Sequence, residues 1–243
     1  MQQTKHPFAM MIGRLERRAP LGAEDREALA ALPYNARSVP AGAHLVRDGD
    51  KPEFCSLLLS GFAHRYKITG DGARQIVSLH LPGEFVDVHN CLLHVADHSA
   101  QTLTECDVAM IPHQALRELT AARPMVARAL WIETLVDASI YREWVVNVGR
   151  RDSRARIAHI LCEFSLRLEA AGLAENHRYE LPMTQEQLAD AVGLTSVHVN
   201  RVLKQLGEEG LIRRERRSIV IDDWQRMRDA GDFSDRYLHS QVS

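Results

Sequence analysis

Residues 181–212 read LPMTQEQLADAVGLTSVHVNRVLKQLGEEGLI, a pattern of two short helices joined at a glycine with a basic hairpin behind them. Thr184 stands three residues ahead of Gln187, the capping-box spacing that satisfies orphaned amides at a helix start. Leu188, Ala189 and Val192 then face inward. Gly193 supplies the permissive backbone of a tight corner, and Thr195 is placed to cap the second helix. Leu194, Val199, Val202, Leu203 and Leu206 recur at three- and four-residue steps and make one buried stripe. Ser196, Val197, His198, Asn200, Arg201, Lys204 and Gln205 are left outward as a candidate reading face, with Thr195 at its start.

That set suits a helix lying in the major groove of double-stranded DNA. There an arginine fork pairs with the two acceptors of guanine and an asparagine pairs with adenine. Arg201 is the leading candidate for base reading. Beyond the second helix, Arg213, Arg214, Arg216 and Arg217 precede the alternating run Ser218 to Ile221, which reads as a two-stranded wing with a basic tip. Such a tip holds phosphates and fixes register without carrying base information.

The segment resembles the winged helix-turn-helix of the Crp/Fnr transcription regulators. Asp152 to Ile160, DSRARIAHI, resembles the start of that family's DNA-binding domain. Pro40 to Gly42, Gly49 and Asp50, Leu57 to Gly61, Gly70 to Gly72 and Pro82 to Glu84 resemble its glycine-punctuated jelly-roll sensor. The resemblance covers nearly the whole chain. It implies a homodimer on a palindromic operator, with RNA polymerase as a further partner. Where many relatives carry an acidic residue that accepts from cytosine, this chain has Val197, better suited to a thymine methyl, so its half-site is expected to differ there.

Without the family, the N-terminal half still reads as a β-barrel, because short apolar or alternating runs are separated by turn residues. Leu57 to Leu59, Ala63 to Ile68, Gln75 to Leu81 and Val108 to Ile111 are the expected strands, with a hairpin at Gly70 to Gly72. Ala23 to Leu32 reads as a short helix ended by Pro33. The first dozen residues carry no clear pattern. From about Pro124 to Val148, Val126, Leu130, Trp131, Leu135, Val136, Ile140, Trp144, Val145 and Val148 fit no single seam. A helix apolar on more than one side is expected to pack one face on its own barrel and another on a partner copy.

The expected fold class is therefore α+β: an N-terminal β jelly-roll sensor barrel (1–122), a long central dimerisation helix (123–150) and a C-terminal winged helix-turn-helix with a tail (151–243). The length of 243 residues accommodates these parts. No apolar run approaches the ~20 residues of a membrane span, and a cytoplasmic protein without membrane contact is expected. Cys55, Cys91, Cys106 and Cys162 are scattered without a C-x-x-C pair, so reduced, mostly buried thiols are expected. Residues 151–223 hold eleven Lys and Arg against twelve Asp and Glu, whereas 201–217 hold six against three. Binding is thus expected to be salt-sensitive but site-dependent.

The signal sensed is less defined. In the family's cyclic-AMP receptors a Gly-Glu holds a ribose hydroxyl and an Arg-Ser-Ala neutralises the cyclic phosphate. Gly83, Glu84, Ser99 and Ala100 match, but His98 takes the arginine's place, and the adenine-facing positions of the central helix fall on Tyr141 and Arg142. A buried phosphate without a permanent cation is costly and histidine is only partly charged near neutral pH. Cyclic AMP is therefore disfavoured, leaving an unidentified small-molecule effector or none, and no cofactor is assigned. An iron–sulfur cluster held by clustered N-terminal cysteines is not expected, since no cysteine precedes Cys55. Residues 87–98, DVHNCLLHVADH, concentrate possible metal or haem ligands. Their spacing matches no firm metal pattern, so no metal site is assigned, and a metal- or haem-responsive regulator is the alternative. A cupin-like enzyme needs an H-x-H followed closely by Glu, and no such run, Gly-rich phosphate loop or nucleophile–base pair occurs, so no catalytic residue is expected. A C-terminal domain that binds protein instead of DNA is a further alternative.

Overall fold

The computed structural model describes residues 6–240. In chain order these form α1 (Ala9–Glu16), α2 (Ala23–Ala30), β1 (Asn35–Val39), β2 (His44–Val46), β3 (Phe54–Leu58), β4 (Ala63–Ile68), β5 (Arg74–His80), α3 (Asn90–Leu93), β6 (Ser99–Thr102), β7 (Cys106–Pro112), α4 (His113–Ala122), α5 (Pro124–Arg150), α6 (Ser153–Ala170), β8 (Arg178–Glu180), α7 (Gln185–Val192), α8 (Ser196–Glu208), β9 (Ile212–Glu215), β10 (Ser218–Ile221) and α9 (Trp224–Ala230). The described residues divide into two compact units, 6–67 with 78–138 and 68–77 with 139–240.

The first unit is built on the sheet ordered β1-β7-β3 and on β2, β6 and β4 of the sheet ordered β2-β6-β4-β5, whose β5 begins in the residues of the second unit. Leu57 lies opposite Ala109 and Cys55 opposite Ile111 across the antiparallel β3–β7 pair. All four are fully buried, which fixes the register because a one-residue slip would turn them outward. The four strands expected from apolar runs are all present. The strands β1, β2 and β6 carry no such signal: four of the five β1 residues are exposed, and β1 is held by its backbone ladder to β7.

The N-terminal expectation is corrected in part. Residues 9–16 form α1 because Phe8, Met11 and Leu15 bury into the core beneath α2 and the start of α5; residues 1–5 of that stretch lie outside the described residues. Gly83, at φ +86°, would bring a Cβ within 3.0 Å of Met10, so glycine is required where α1 crosses the barrel.

The 27-residue α5 divides its apolar side chains between two faces. Val126, Ala129, Leu130, Val136, Ile140 and Trp144 are buried, whereas Trp131, Leu135 and Val145 on the far side are 67%, 53% and 69% exposed.

In the second unit α6 starts at Asp152, whose carboxylate accepts from the Ala155 amide at 2.9 Å. Its buried Ile157, Ala158, Leu161 and Phe164 supply a platform on which α8 and α9 pack. The wing, expected as two strands, has three: β8 pairs with the free edge of β10, and Tyr179 is buried there. A three-residue strand beside a polar turn leaves too short an alternation to see in sequence. No helix among the described residues is long and apolar enough to cross a membrane.

Candidate DNA interface and effector pocket

Local chemistry builds the helix pair as its sequence predicts. The Thr184 hydroxyl accepts from the Gln187 amide at 3.1 Å while the Gln187 side chain accepts from the Thr184 amide at 2.8 Å. Gly193 then turns the chain at φ +64°, and Thr195 caps α8 by accepting from the His198 amide at 3.3 Å. Val199, Val202, Leu203 and Leu206 are buried, whereas Leu194, expected in the same stripe, is half-buried at the corner ahead of α8. The opposite face exposes Ser196, Val197, Asn200, Arg201, Lys204 and Gln205, with Val197 at 79%.

Some of these side chains are committed to neighbours. His198 is half-buried, with Nε2 2.9 Å from Ser153 Oγ, and it accepts from the Arg201 guanidinium at 3.0 Å. Lys204 stands 3.5 Å from Glu208, and the Gln205 amide donates to Glu209 at 2.8 Å. Arg154 anchors the end of α8 by donating from Nε to Glu209 at 3.1 Å. Arg156 donates to the Val192 carbonyl at the end of α7 at 3.1 Å. Ser153, Arg154 and Arg156 sit some forty residues upstream, and sequence spacing gives no signal for these contacts.

The wing gathers its arginines unevenly. Arg213 is paired with Asp222, donating from Nε at 2.8 and 2.9 Å, and so ties β9 to the residue that follows β10. Arg214, Arg216 and Arg217 are exposed around the turn. The Arg217 carbonyl accepts from the Leu181 amide at 2.9 Å, which ties the tip to the approach of α7.

In the first unit, the residues matched to the cyclic-nucleotide pocket do not assemble as one cavity. Gly83 and Glu84 line a cavity of about 30 Å³ together with Met11, Arg14, His80, Glu133 and Asp137. That is room for about one water, against several hundred Å³ for an ordinary small-molecule site. The Glu84 carboxylate meets Arg14 Nη1 at 2.9 Å and accepts from the Leu81 amide at 3.2 Å. Arg14 also reaches Glu133 at 2.7 Å, and Arg18 joins it at 3.2 Å. The N-terminal helix thus occupies the carboxylate that the resemblance assigns to a ribose.

His98 and Ser99 lie outside this lining. The His98 imidazole is buried, with Nδ1 2.7 Å from Asp97, and burial lowers its pKa against the opposing pull of Asp97. Burial thus makes this ring a poorer cation than a free imidazole, which disfavours a phosphate beside it. Ser99 accepts from the Asp48 amide at 3.1 Å. Tyr141 and Arg142 fall in the second unit, where Arg142 donates to Ser139 at 2.7 Å. A barrel cation that sequence matching missed is Arg65, which is buried, donates to the Val86 carbonyl at 2.5 Å and lies 3.9 Å from Asp137.

The 87–98 segment does not converge on one centre. His89, Asp97 and His98 bring ligand atoms within 4.8 Å of one another, but the Asp97 side chain is 82% exposed. Asp87 instead accepts from the Ser56 amide at 2.6 Å, and Cys91 turns inward toward Cys55. Burial holds the His89 imidazole down to about 4. The four cysteines are free and buried.

Comparison with known proteins agrees with these two halves. Residues 155–230 match the family profile described as a Crp-like helix-turn-helix domain, and residues 36–123 match that of the cyclic nucleotide-binding domain. The chain is 33% identical over 219 residues to the transcriptional activator protein FnrL of Cereibacter sphaeroides, covering 87% of each. It is 28% identical over 203 residues to the transcriptional activator protein anr of Pseudomonas aeruginosa, covering 84% of this chain and 83% of that one. Among solved structures, FixK2 from Bradyrhizobium japonicum superposes with a TM-score of 0.74 at 25% identity, covering 82% of this chain and 98% of the other.

Proposed function

Since this chain belongs to the Crp/Fnr family of transcription regulators, we propose that it binds a palindromic operator as a homodimer through the exposed face of α8, with Arg201 reading guanine. The observation that carries this reading is the exposed row of Val197, Asn200 and Arg201 on a helix whose opposite face is buried. Base reading needs side chains that project from a rigid support. The exposed arginines around the turn between β9 and β10 are suited to phosphates. The family acts on DNA and is one of regulators rather than of enzymes. Relatives named as transcriptional activators support an activating role and contact with RNA polymerase.

The exposed side of α5 supports pairing. Trp131, Leu135 and Val145 follow one another at helical spacing on the face turned from the core, and large apolar side chains in a row favour burial against a second copy. A twofold axis there sets two reading helices roughly 34 Å apart, one DNA turn.

The barrel is proposed to answer to a small molecule other than cyclic AMP, or to none. The Arg14–Glu84 pair and the burial that lowers the His98 pKa support that reading. The test is selection of sites from random duplex DNA by the purified protein, with and without cyclic AMP. A twofold-symmetric motif independent of the nucleotide is expected. A motif that requires cyclic AMP overturns the reading of the barrel, and an asymmetric motif overturns the dimer.

A further inference from the structure

Three side chains from separate elements of the first unit meet in its core, and neither DNA reading nor the Glu84 cavity uses them. Cys55 comes from β3, Cys91 from α3 and His113 from the first turn of α4. Their exposures are 0%, 6% and 5%. One ligand atom from each lies within 4.8 Å of the other two, and the sulfurs are 3.1 Å apart.

We propose that Cys55, Cys91 and His113 form a binding site for one thiophilic divalent cation of the zinc class. The histidine carries the argument beyond a pair of thiols. The Phe54 backbone lies beside the His113 ring, and Nε2 has no hydrogen-bond partner although it is buried. A buried nitrogen without a partner is costly. Zinc-bound imidazoles present one ring nitrogen to the metal while the other faces a backbone or carboxylate group, and a buried, unpartnered Nε2 beside the Phe54 backbone suits that role. A disulfide between the cysteines would leave that nitrogen without a role.

Charge and geometry also fit. Two thiolates and a neutral imidazole around a dication sum to zero, so the complex is buried without an unpaired ion. Binding releases the two thiol protons to solvent. Tetrahedral bonds of about 2.3 Å place two sulfurs roughly 3.8 Å apart, so the pair opens by under an ångström on loading. The Asp87 carbonyl, 3.8 Å from Cys55 Sγ, or a water is available as fourth donor. Calcium and magnesium are poor candidates because they require oxygen ligands. Cys91 belongs to the 87–98 segment, but its two partners come from outside it, which is why motif spacing gave no sign of the site.

The test is a cobalt(II) titration, without oxygen, of the full chain after reduction and removal of metal by chelation. One equivalent is expected to give a thiolate-to-cobalt charge-transfer band and the visible bands of a tetrahedral ion, both abolished by one equivalent of zinc. Cys91→Ser and His113→Gln are each expected to weaken binding by more than about tenfold. Cys106→Ser, which alters a buried thiol in a separate core cluster, is expected to leave it unchanged. The absence of these bands in the unaltered chain overturns the proposal, whether or not any variant folds. So does a spectrum that survives both Cys91→Ser and His113→Gln, or a chain that forms a Cys55–Cys91 disulfide in air and takes no cobalt once reduced.

Discussion

Arg14 and Glu84 face each other at 2.9 Å across the mouth of the barrel cavity, and their side chains are only 17% and 6% exposed. Breaking a buried ion pair by removing one partner leaves an uncompensated charge and costs about 3–5 kcal/mol, whereas removing both costs much less. Arg14→Met is therefore expected to lower the unfolding free energy by about 3 kcal/mol, read from urea denaturation. Adding Glu84→Gln to that variant is expected to restore part of the loss. No recovery in the double variant would mean that Arg14 acts chiefly through Glu133.

The far side of α5 gives a second expectation. Trp131 and Leu135 are 67% and 53% exposed in the single chain, so a charge at Leu135 is tolerated by the monomer and disfavoured in a seam between copies. Leu135→Glu should shift the protein from dimer to monomer by sedimentation and abolish binding to a palindromic site, with circular dichroism unchanged. A dimer that survives this substitution would place the contact elsewhere.

His159 contributes a pH dependence of known sign. Its buried ring has Nδ1 3.2 Å from the Gly231 carbonyl and Nε2 3.0 Å from the Tyr237 hydroxyl. Burial, with Arg151 nearby, lowers its pKa from 6.5 to about 4. The unfolded chain takes up a proton below about 6.5 that the folded chain refuses until about 4. The contribution of His159 to stability is thus full above the higher value and falls by about 3 kcal/mol as pH drops through that window, beside a like contribution from His89 and opposite ones from Asp87 and Asp137, whose carboxyls burial raises to about 6. Urea denaturation at several pH values should show that His159→Gln loses less stability between about pH 6.5 and 4 than the unaltered chain does. An unchanged slope in the variant would assign the dependence to other groups.

The reading helix was legible in sequence because its information is local. A cap at Thr184, a corner at Gly193 and an apolar step of three and four specify α7 and α8 without reference to the rest of the chain. The two faces of α5 were legible for the same reason. The content of the barrel was not, because Arg14, Glu84 and Glu133 come from three distant elements and meet only through the fold. Matching by motif placed Glu84, His98 and Tyr141 in one pocket, yet it carried no information on α1, whose Met11 and Arg14 line the cavity beside Glu84. Cys55, Cys91 and His113 escaped notice likewise, being brought together by β3, α3 and α4 rather than by spacing.

Arg201 and the wing arginines are expected to fail differently when removed. Arg201 is held by its hydrogen bond to His198, one turn earlier on the exposed face of α8. A guanidinium so oriented presents its remaining donors in a fixed fork. Arg201→Ala is expected to cost about 1–3 kcal/mol on the selected operator and to relax preference at one guanine. Arg214→Ala removes an exposed cation beside the turn, so it should weaken binding to all sequences alike and reduce the salt dependence by about one counterion. Val197→Glu replaces a methyl contact with an acceptor and should move preference at its own position toward cytosine. Binding measured on a panel of single-base operator variants at two salt concentrations separates these effects. A uniform loss from Arg201→Ala would return that residue to the phosphates and leave Asn200 as the base reader.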